Sequence, residues 1–484
     1  MKLFTRAHVS RTLRILAVSA TACTLLAGST LSAAADKNAA KKEEIVELIV
    51  GHHVSGVEKD QLNMDNIDTI IASLNDPYTQ YFSPTEWDKF MDMLENNYTG
   101  IGIRVGSDDN GFFVNEVFPA TPASEAGIQD GDYIVKVNGK STEGKTTEEL
   151  VAEITGLEGT EVAITIAREG KENTVKMKRK EIHIPALTTR SFDEGIGYIR
   201  VSSFSSDADE LFSEEIDRLK ADGMKSLILD LRDNPGGLLD TAGNMASRFI
   251  KKGNLIHTRD RSKTETPYPV KGNEPIDVPV IVLVNEFSAS ASEVLAGALQ
   301  DYEIATLIGR KTFGKGSVQS LYELSDGSVL KLTVQEYLTP LKHPVNKIGL
   351  TPDIDVIGDA SQLITALQQA GELDIQLELG NRGLSINGQS VTDNFKVLRE
   401  KGMTYVPSRI LAAIVEGEVS WDEADRSVVI KNGKEEKEFN INSEGMKVEN
   451  GVSYIALSRF QTQFQELVWT DHNGKLSLIE NGRK

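Results

Sequence analysis

Cysteine occurs once in these 484 residues, as Cys23, inside the first 35 positions. If those positions are removed, no thiol remains, which excludes a disulfide, a cysteine-ligated zinc site and a cysteine nucleophile. Positive charge is also scarce. Against 52 Lys and Arg stand 72 Asp and Glu, a formal charge of -20. Lys2, Arg6, Arg11 and Arg14 lie in the first 35 residues with no acid beside them, so the rest holds 48 basic against 72 acidic groups, or -24. A field of that sign repels phosphate backbones and argues against nucleic-acid binding. Beyond the N-terminus there is no apolar run of about eighteen residues, so the body is predicted to be soluble and globular.

The N-terminus itself reads as an export signal: basic MKLFTRAHVSRTLR, apolar ILAVSATACTLLAGSTLSA, then small residues up to Ala35 before Asp36. Cleavage is expected near Ala35, with an uncleaved N-terminal membrane anchor as the alternative. Ala20, standing where lipoprotein signals prefer leucine, argues against a lipid on Cys23. A chain of this length predicts two to four domains.

The pattern is multidomain α/β. Residues 36–92, with KNAAKKEEIVELIVGHHV and NIDTIIASLNDPYTQYFSP, form a small helical region with dimerisation as a suggested role. His52 and His53 are adjacent on a helix and point in different directions, which disfavours a metal pair. Residues 93–180 alternate apolar and polar in short runs between Asp-Gly, Asn-Gly and Glu-Gly turns, interrupted by the amphipathic TTEELVAEITG. An edge strand beside one helix makes a groove suited to an extended peptide. Gly100, Ile101, Gly102 and Ile103 would turn backbone N–H groups toward a terminal carboxylate there.

From 181 to 372 apolar strands alternate with helices, which predicts a parallel sheet covered by helices with ligands at the strands' carboxyl ends. Both DNPGG and FSASAS fall at that edge. Residues 376–484 repeat themselves: the segments from Met403 and Val452 share a tyrosine, Ser-Arg, an apolar helix, tryptophan and a closing strand. They predict a separable α+β repeat module without catalytic residues, whose removal leaves cleavage intact.

Ser290-Ala-Ser-Glu293 is a capping-box pattern, and a serine between a buried strand and a helix N-terminus is also well placed as a nucleophile. No Gly-x-Ser-x-Gly occurs, and His183, His257, His343 and His472 lack an accompanying acid-and-serine pattern. Lys315, between Gly314 and Gly316 with Phe313 and Val318 to exclude water, could serve as a base if burial lowers its pKa. Gln319, four positions on, shares its face and could orient the amine. The competing phosphate-loop pattern from Gly309 to Lys315 has glycine at 316 where Ser or Thr is required, and it runs into an alternating hairpin pattern rather than a helix.

FSASASE, TFGKGSVQ, DLRDNPGG, LTPDI, DPYTQYF and TGIGI together resemble the carboxy-terminal processing peptidases, serine proteases with an inserted PDZ domain, over residues 45–357. The resemblance implies Ser290 as nucleophile, Lys315 as general base and Gln319 as the residue that positions it. It implies an oxyanion hole from the N–H of Ala291 and of Gly236 or Gly237, structural roles for Ser288 and Ser292, and Arg168 as a PDZ switch. Phe287, in place of a glycine before SASAS, and YLTPLKHPVNKIG depart from the family pattern. The C-terminal repeats resemble a stalk-like domain named after copper amine oxidase N-termini, with attachment or dimer contacts implied. The expectation is an exported, cofactor-free, metal-free serine endopeptidase. It would take protein substrates with apolar C-terminal tails, form a homodimer and associate with the cell wall or membrane surface. The competing reading is an inactive PDZ scaffold or cell-wall-associated binding protein.

Overall fold

A computed structural model describes residues 29–108, 111–168, 170–372, 374–379, 384–391, 396–433, 435–472 and 475–480. Cys23 and most of the predicted export signal lie outside these residues. Among the described residues no helix is long and apolar enough to cross a membrane.

The central sheet has six strands in the order Leu187–Phe192, Ile196–Val201, Ser226–Asp230, Val280–Val284, Ala305–Gly309, Ile354–Asp355. The first pair is antiparallel and every later pair is parallel. Ser226–Asp230 and Val280–Val284 are buried at every position, as parallel strands covered on both faces must be. One face packs under the helices Ala208–Ala221, Leu239–Ala246 and Ala291–Asp301, through Phe204, Phe212, Met245 and Leu295. The opposite face carries the helix Asp359–Gln369.

Beside this sheet lies a five-stranded antiparallel one built from Gly253–Asp260, Glu265–Val270, Ser317–Glu323, Val329–Leu338 and a strand from the N-terminal region, Gln80–Phe82. The alternating stretch after Lys315 is therefore the predicted hairpin, with Leu321 opposite Lys331. The N-terminal region is not a free-standing helical unit. Its helix Ser29–His52 buries Ile45, Val46 and Ile49 against Leu324, Leu330 and Leu332 of that hairpin, and Gln80 pairs with Lys331. His52 stacks on Tyr322 and His53 is buried, bonded to Ser55 and facing Asp76, so each histidine has a packing role of its own.

The β-rich module has its own core around Ile101, Val114, Ile134, Leu150 and Ile164. Its chain enters on the strand Asn97–Gly100 and leaves on Lys180–His183, and these two pair with each other antiparallel. Ile103–Asp108 is an end strand of its sheet, next to the helix Thr147–Ile154, whose N-cap Thr146 accepts from the Glu149 N–H.

The C-terminal repeat is present as strand Met403–Pro407, helix Ser408–Ile414 and a hairpin, then strand Val452–Ala456, helix Leu457–Gln463 and a hairpin, with the two leading strands paired. It is not separable as expected. A single apolar cluster runs from Ile228, Ile281 and Ile308 of the central sheet through Leu363 and Leu367 to Leu377, Ile410, Ile414 and Phe460. Gln368 also donates to the carbonyls of Ala413 and Ile414. The periodicity of the helix Asp359–Gln369 shows an apolar stripe, but not that a second layer covers its far side.

Candidate active site

At the carboxyl end of Ser226–Asp230 the chain turns through Arg232, Asp233, Asn234 and Gly236. Asp230 is fully buried. Burial alone would raise its pKa, but the Arg232 guanidinium, at 2.6 and 2.9 Å, with Tyr198, holds it at about 2. That ion pair anchors the loop below, and the Asn234 side chain donates to Val201 O above.

The next parallel strand, Val280–Val284, ends in the FSASAS loop, and the two loops are bonded to each other. Ser288 Oγ donates to Leu231 O at 2.8 Å, Ser292 Oγ donates to Asn234 O at 2.9 Å, and the Ala289 N–H donates to Asn234 O. Ser288 and Ser292 are fully buried and occupied in this way, whereas Ser290 is half-exposed.

Ser290 is the N-cap of the helix Ala291–Asp301, with φ 55° and ψ −115°. A non-glycine residue in such a conformation costs about 1–3 kcal/mol and persists only where its surroundings over-determine it. Here they do. Its N–H donates to Glu293 Oε2 at 2.9 Å and its carbonyl accepts from the buried Tyr337 hydroxyl at 3.2 Å.

Glu293 is itself completely buried and accepts from four donors. Oε2 takes the N–H groups of Ser290 and Lys315, and Oε1 takes the Gly314 N–H and the Thr312 hydroxyl. Burial pushes this carboxyl up, while those donors oppose the rise. A capping box accounts for one of the four bonds. The other three arrive from a loop twenty residues later, so Glu293 joins the segment of the serine to the segment of the lysine.

Lys315 is half-buried, and among the described residues its amine has no hydrogen-bond or ion-pair partner. Nζ lies 5.0 Å from the centroid of the Tyr78 ring. Burial lowers its pKa below 10.5, against an upward pull from Glu293 and Asp76. Asp76 sets Tyr78 there by accepting from the Tyr78 N–H and the Thr79 hydroxyl. Tyr78, Glu293 and Tyr337 were not singled out from sequence. Tyr78 sits within the quoted DPYTQYF and Glu293 within the capping box, and those were the available signals. A further lysine, Lys331, lies over Phe90 and Phe82, and burial, then the charge of Lys315, depresses it to about 8.

Gln319 is on the adjacent strand but not bonded to Lys315. Its amide donates to Ser317 Oγ at 3.0 Å and Thr333 Oγ1 at 3.4 Å, beyond a register shift at Val318. Of the three oxyanion candidates, the Gly236 N–H is taken by Asn234 Oδ1 at 2.8 Å, while the N–H groups of Gly237 and Ala291 donate to no described residue. Gly236 matters for another reason. A Cβ there, at φ +106°, would stand 2.8 Å from Ser290 Cβ and 3.0 Å from Ala291 N.

In the inserted module, Ile101, Ile103, Val105, Val151 and Ile154 line a groove of about 70 Å³. Gly102, at φ +86°, leaves room that Thr121 would otherwise contest, since a Cβ would fall 2.2 Å from Thr121 Cβ. Gly100 belongs to the neck ladder, paired with Lys180. Arg168 is engaged within the module, with two bonds to the buried Asp132 and one to Gly127 O.

Residues 195–356 match Peptidase family S41, residues 87–167 match the PDZ domain, and residues 335–430 and 385–462 match the copper amine oxidase N-terminal domain. A probable CtpA-like serine protease of Staphylococcus aureus (strain COL) is 34% identical over 374 residues, covering 76% of this chain and 75% of the relative. One from Staphylococcus saprophyticus is 32% identical over 362 residues, 73% of this chain and 74% of the relative. Among solved structures, a photosystem II D1 C-terminal processing protease is similar at 28% identity, covering 66% of this chain and 93% of that one with a TM-score of 0.47.

Proposed function

Because this chain belongs to peptidase family S41 and is a CtpA-like serine endopeptidase with a PDZ domain, we propose that Ser290 is its nucleophile and Lys315 its general base. The observation that carries this reading is a half-buried lysine with no ion-pair partner among the described residues, tied through one carboxylate to a serine in a strained N-cap. A lysine whose charge is partly dehydrated and unpaired loses its proton more readily.

In the proposed reaction neutral Lys315 accepts the Ser290 Oγ proton as the oxygen adds to the scissile carbonyl. Charge develops on the carbonyl oxygen between the Ala291 and Gly237 N–H groups, with the dipole of the helix Ala291–Asp301 behind them. The Lys315 ammonium then protonates the departing amine. An ester on Ser290 remains, and water activated by the same lysine hydrolyses it. Gln319 would hold the amine once its amide leaves Ser317 and Thr333.

Substrates are proposed to be proteins with apolar C-terminal tails, seated along Ile103–Asp108 with the terminal carboxylate at Ile101 and Gly102. Arg168 would act as a switch if a bound tail released it from Asp132. We further propose an exported enzyme cleaved near Ala35, working as a homodimer at the cell envelope. A serine-reactive acylating probe followed by peptide mass mapping tests the central claim. The label is expected on Ser290 and should be lost in Ser290→Ala and Lys315→Ala. Labelling that survives Ser290→Ala, or turnover by that variant, would reject the assignment.

A further inference from the structure

A lysine that takes a proton from a serine needs its amine held at one place. Gln319, the residue implied for that task, spends its amide on Ser317 and Thr333. Among the described residues the Lys315 amine makes no hydrogen bond or ion pair, and what it does meet is the Tyr78 ring, 5.0 Å from the centroid. A ring face binds an ammonium within about 6 Å and also accepts from the N–H of a neutral amine. Lys331 supplies the contrast, since it lies over two rings but donates to Gln80 Oε1 at 2.6 Å.

The placement of that ring is fixed by polar bonds, not by packing. Tyr78 belongs to none of the apolar clusters of the described residues, although its neighbours Tyr81 and Tyr322 pack against one. Asp76 closes the turn, accepting from the Tyr78 N–H at 3.0 Å and the Thr79 hydroxyl at 2.6 Å. Thr79 Oγ1 in turn accepts from the Thr333 N–H at 3.1 Å, which fastens the turn to the strand beside Gln319. Burial would raise the Asp76 carboxyl, but bonds from His53, Thr333 and Thr79 hold it well below the usual carboxylate range. The turn therefore stays closed wherever Lys315 titrates.

Resting on the assignment of Lys315 as base, we propose that Tyr78 is the positioning residue for that lysine, the face of its ring holding the amine while the Gln319 amide is engaged elsewhere. The N-terminal region then supplies part of the active site, beyond its pairing with the hairpin.

The test measures kcat and KM of the full chain against pH on a tail-bearing peptide. Three forms are compared with the parent: Tyr78→Phe, Tyr78→Leu, and pentafluorophenylalanine at position 78, which keeps the shape of Tyr78→Phe but not its negative ring face. The charged groups around the amine, Glu293 of the helix Ala291–Asp301, Asp76 of the turn and Lys331 of the hairpin, are left in place in all three. Tyr78→Phe is expected to stay within about threefold of the parent in kcat, whereas the leucine and fluorinated forms lose at least about tenfold at the high-pH plateau, with KM within about twofold. In those two the midpoint of kcat/KM should also move down by about half to one pH unit, because the ammonium has lost a favourable partner and the neutral amine has not. A general loosening of the fold would not move the midpoint that way. Should Tyr78→Leu fail to fold, the fluorinated form decides. An unmoved midpoint, a kcat within about threefold in the fluorinated form, or a Tyr78→Phe as poor as Tyr78→Leu would each overturn the proposal while an inactive Lys315→Ala keeps the base reading. Activity retained by Lys315→Ala would overturn both.

Discussion

Replacing Glu293 by glutamine changes one atom and should cost the enzyme both stability and turnover. The carboxylate accepts four bonds, two at each oxygen, and an amide has only one acceptor end. If its oxygen keeps the Ser290 and Lys315 N–H groups, the NH₂ is driven against the Gly314 N–H, which cannot accept. Thr312 Oγ1 already accepts from the Leu350 N–H, and if it turns to accept from the amide as well, its proton loses the Glu293 oxygen to which it donates. The reverse orientation sets the NH₂ against two N–H groups at once. One stranded buried donor costs about 1–3 kcal/mol, and each surviving bond drops from a charged to a neutral one. Relief from burying a charge offsets part of this. The net expectation is about 3 kcal/mol, read as a lower urea midpoint with unchanged slope. The larger effect falls on rate, because Ser290 is held in its strained conformation by this carboxylate. A displacement on the order of 1 Å at the nucleophile costs about a hundredfold. kcat on a tail-bearing peptide should fall by about that factor, while affinity for the tail, seated in another module, stays as it was. A Glu293→Gln enzyme with kcat within threefold of the parent would refute the idea that this carboxylate positions the two catalytic segments.

The pH profile of kcat/KM should rise through a single group with its midpoint below pH 10.5, because burial lowers the Lys315 pKa and only the neutral amine accepts a proton; Lys315→Arg should be as inactive as Lys315→Ala, and a variant retaining substantial peptidase activity with arginine would count against a base at this position. Truncation at residue 375 should give insoluble or unfolded protein. It uncovers Leu363 and Leu367, which share a core with Ile410, Ile414 and Phe460, at about 1.5–3 kcal/mol per side chain; a soluble, cooperatively melting fragment would contradict the shared core. Gly236→Ala should abolish acylation by the probe, because its methyl group would displace Ser290 or Ala291, both within about 3 Å; normal labelling would show that the loop yields freely.

Much of this was legible from local pattern. The nearly continuous apolar runs of Ser226–Asp230 and Val280–Val284 predicted covered parallel strands, and the alternation after Lys315 predicted a hairpin where a phosphate loop needs a helix. Ser290 and Lys315 were placed correctly with respect to these elements. What escaped were partnerships between distant segments. Gln80–Phe82 is too short to announce itself as a strand, and it becomes one only by pairing with Val329–Leu338. Three of the four donors to Glu293 lie 19 to 22 residues away, out of reach of a local motif. The spacing of Gln319 gave its face but not its partners, because the register shift at Val318 and the hydroxyls of Ser317 and Thr333 decide where the amide points.

The two-stranded neck has a consequence for how such a chain can be assembled and rebuilt. Gly100 and Lys180 face each other across one ladder, about 5 Å apart as antiparallel neighbours are. A guest domain whose ends meet at that spacing adds almost no chain-closure penalty to its host, since the host has only to form a hairpin. The host can therefore carry a different cassette between these positions, or a two-residue turn, without redesign of its own sheet. The recognition element is exchangeable in the way a plug is, provided its two wires emerge side by side.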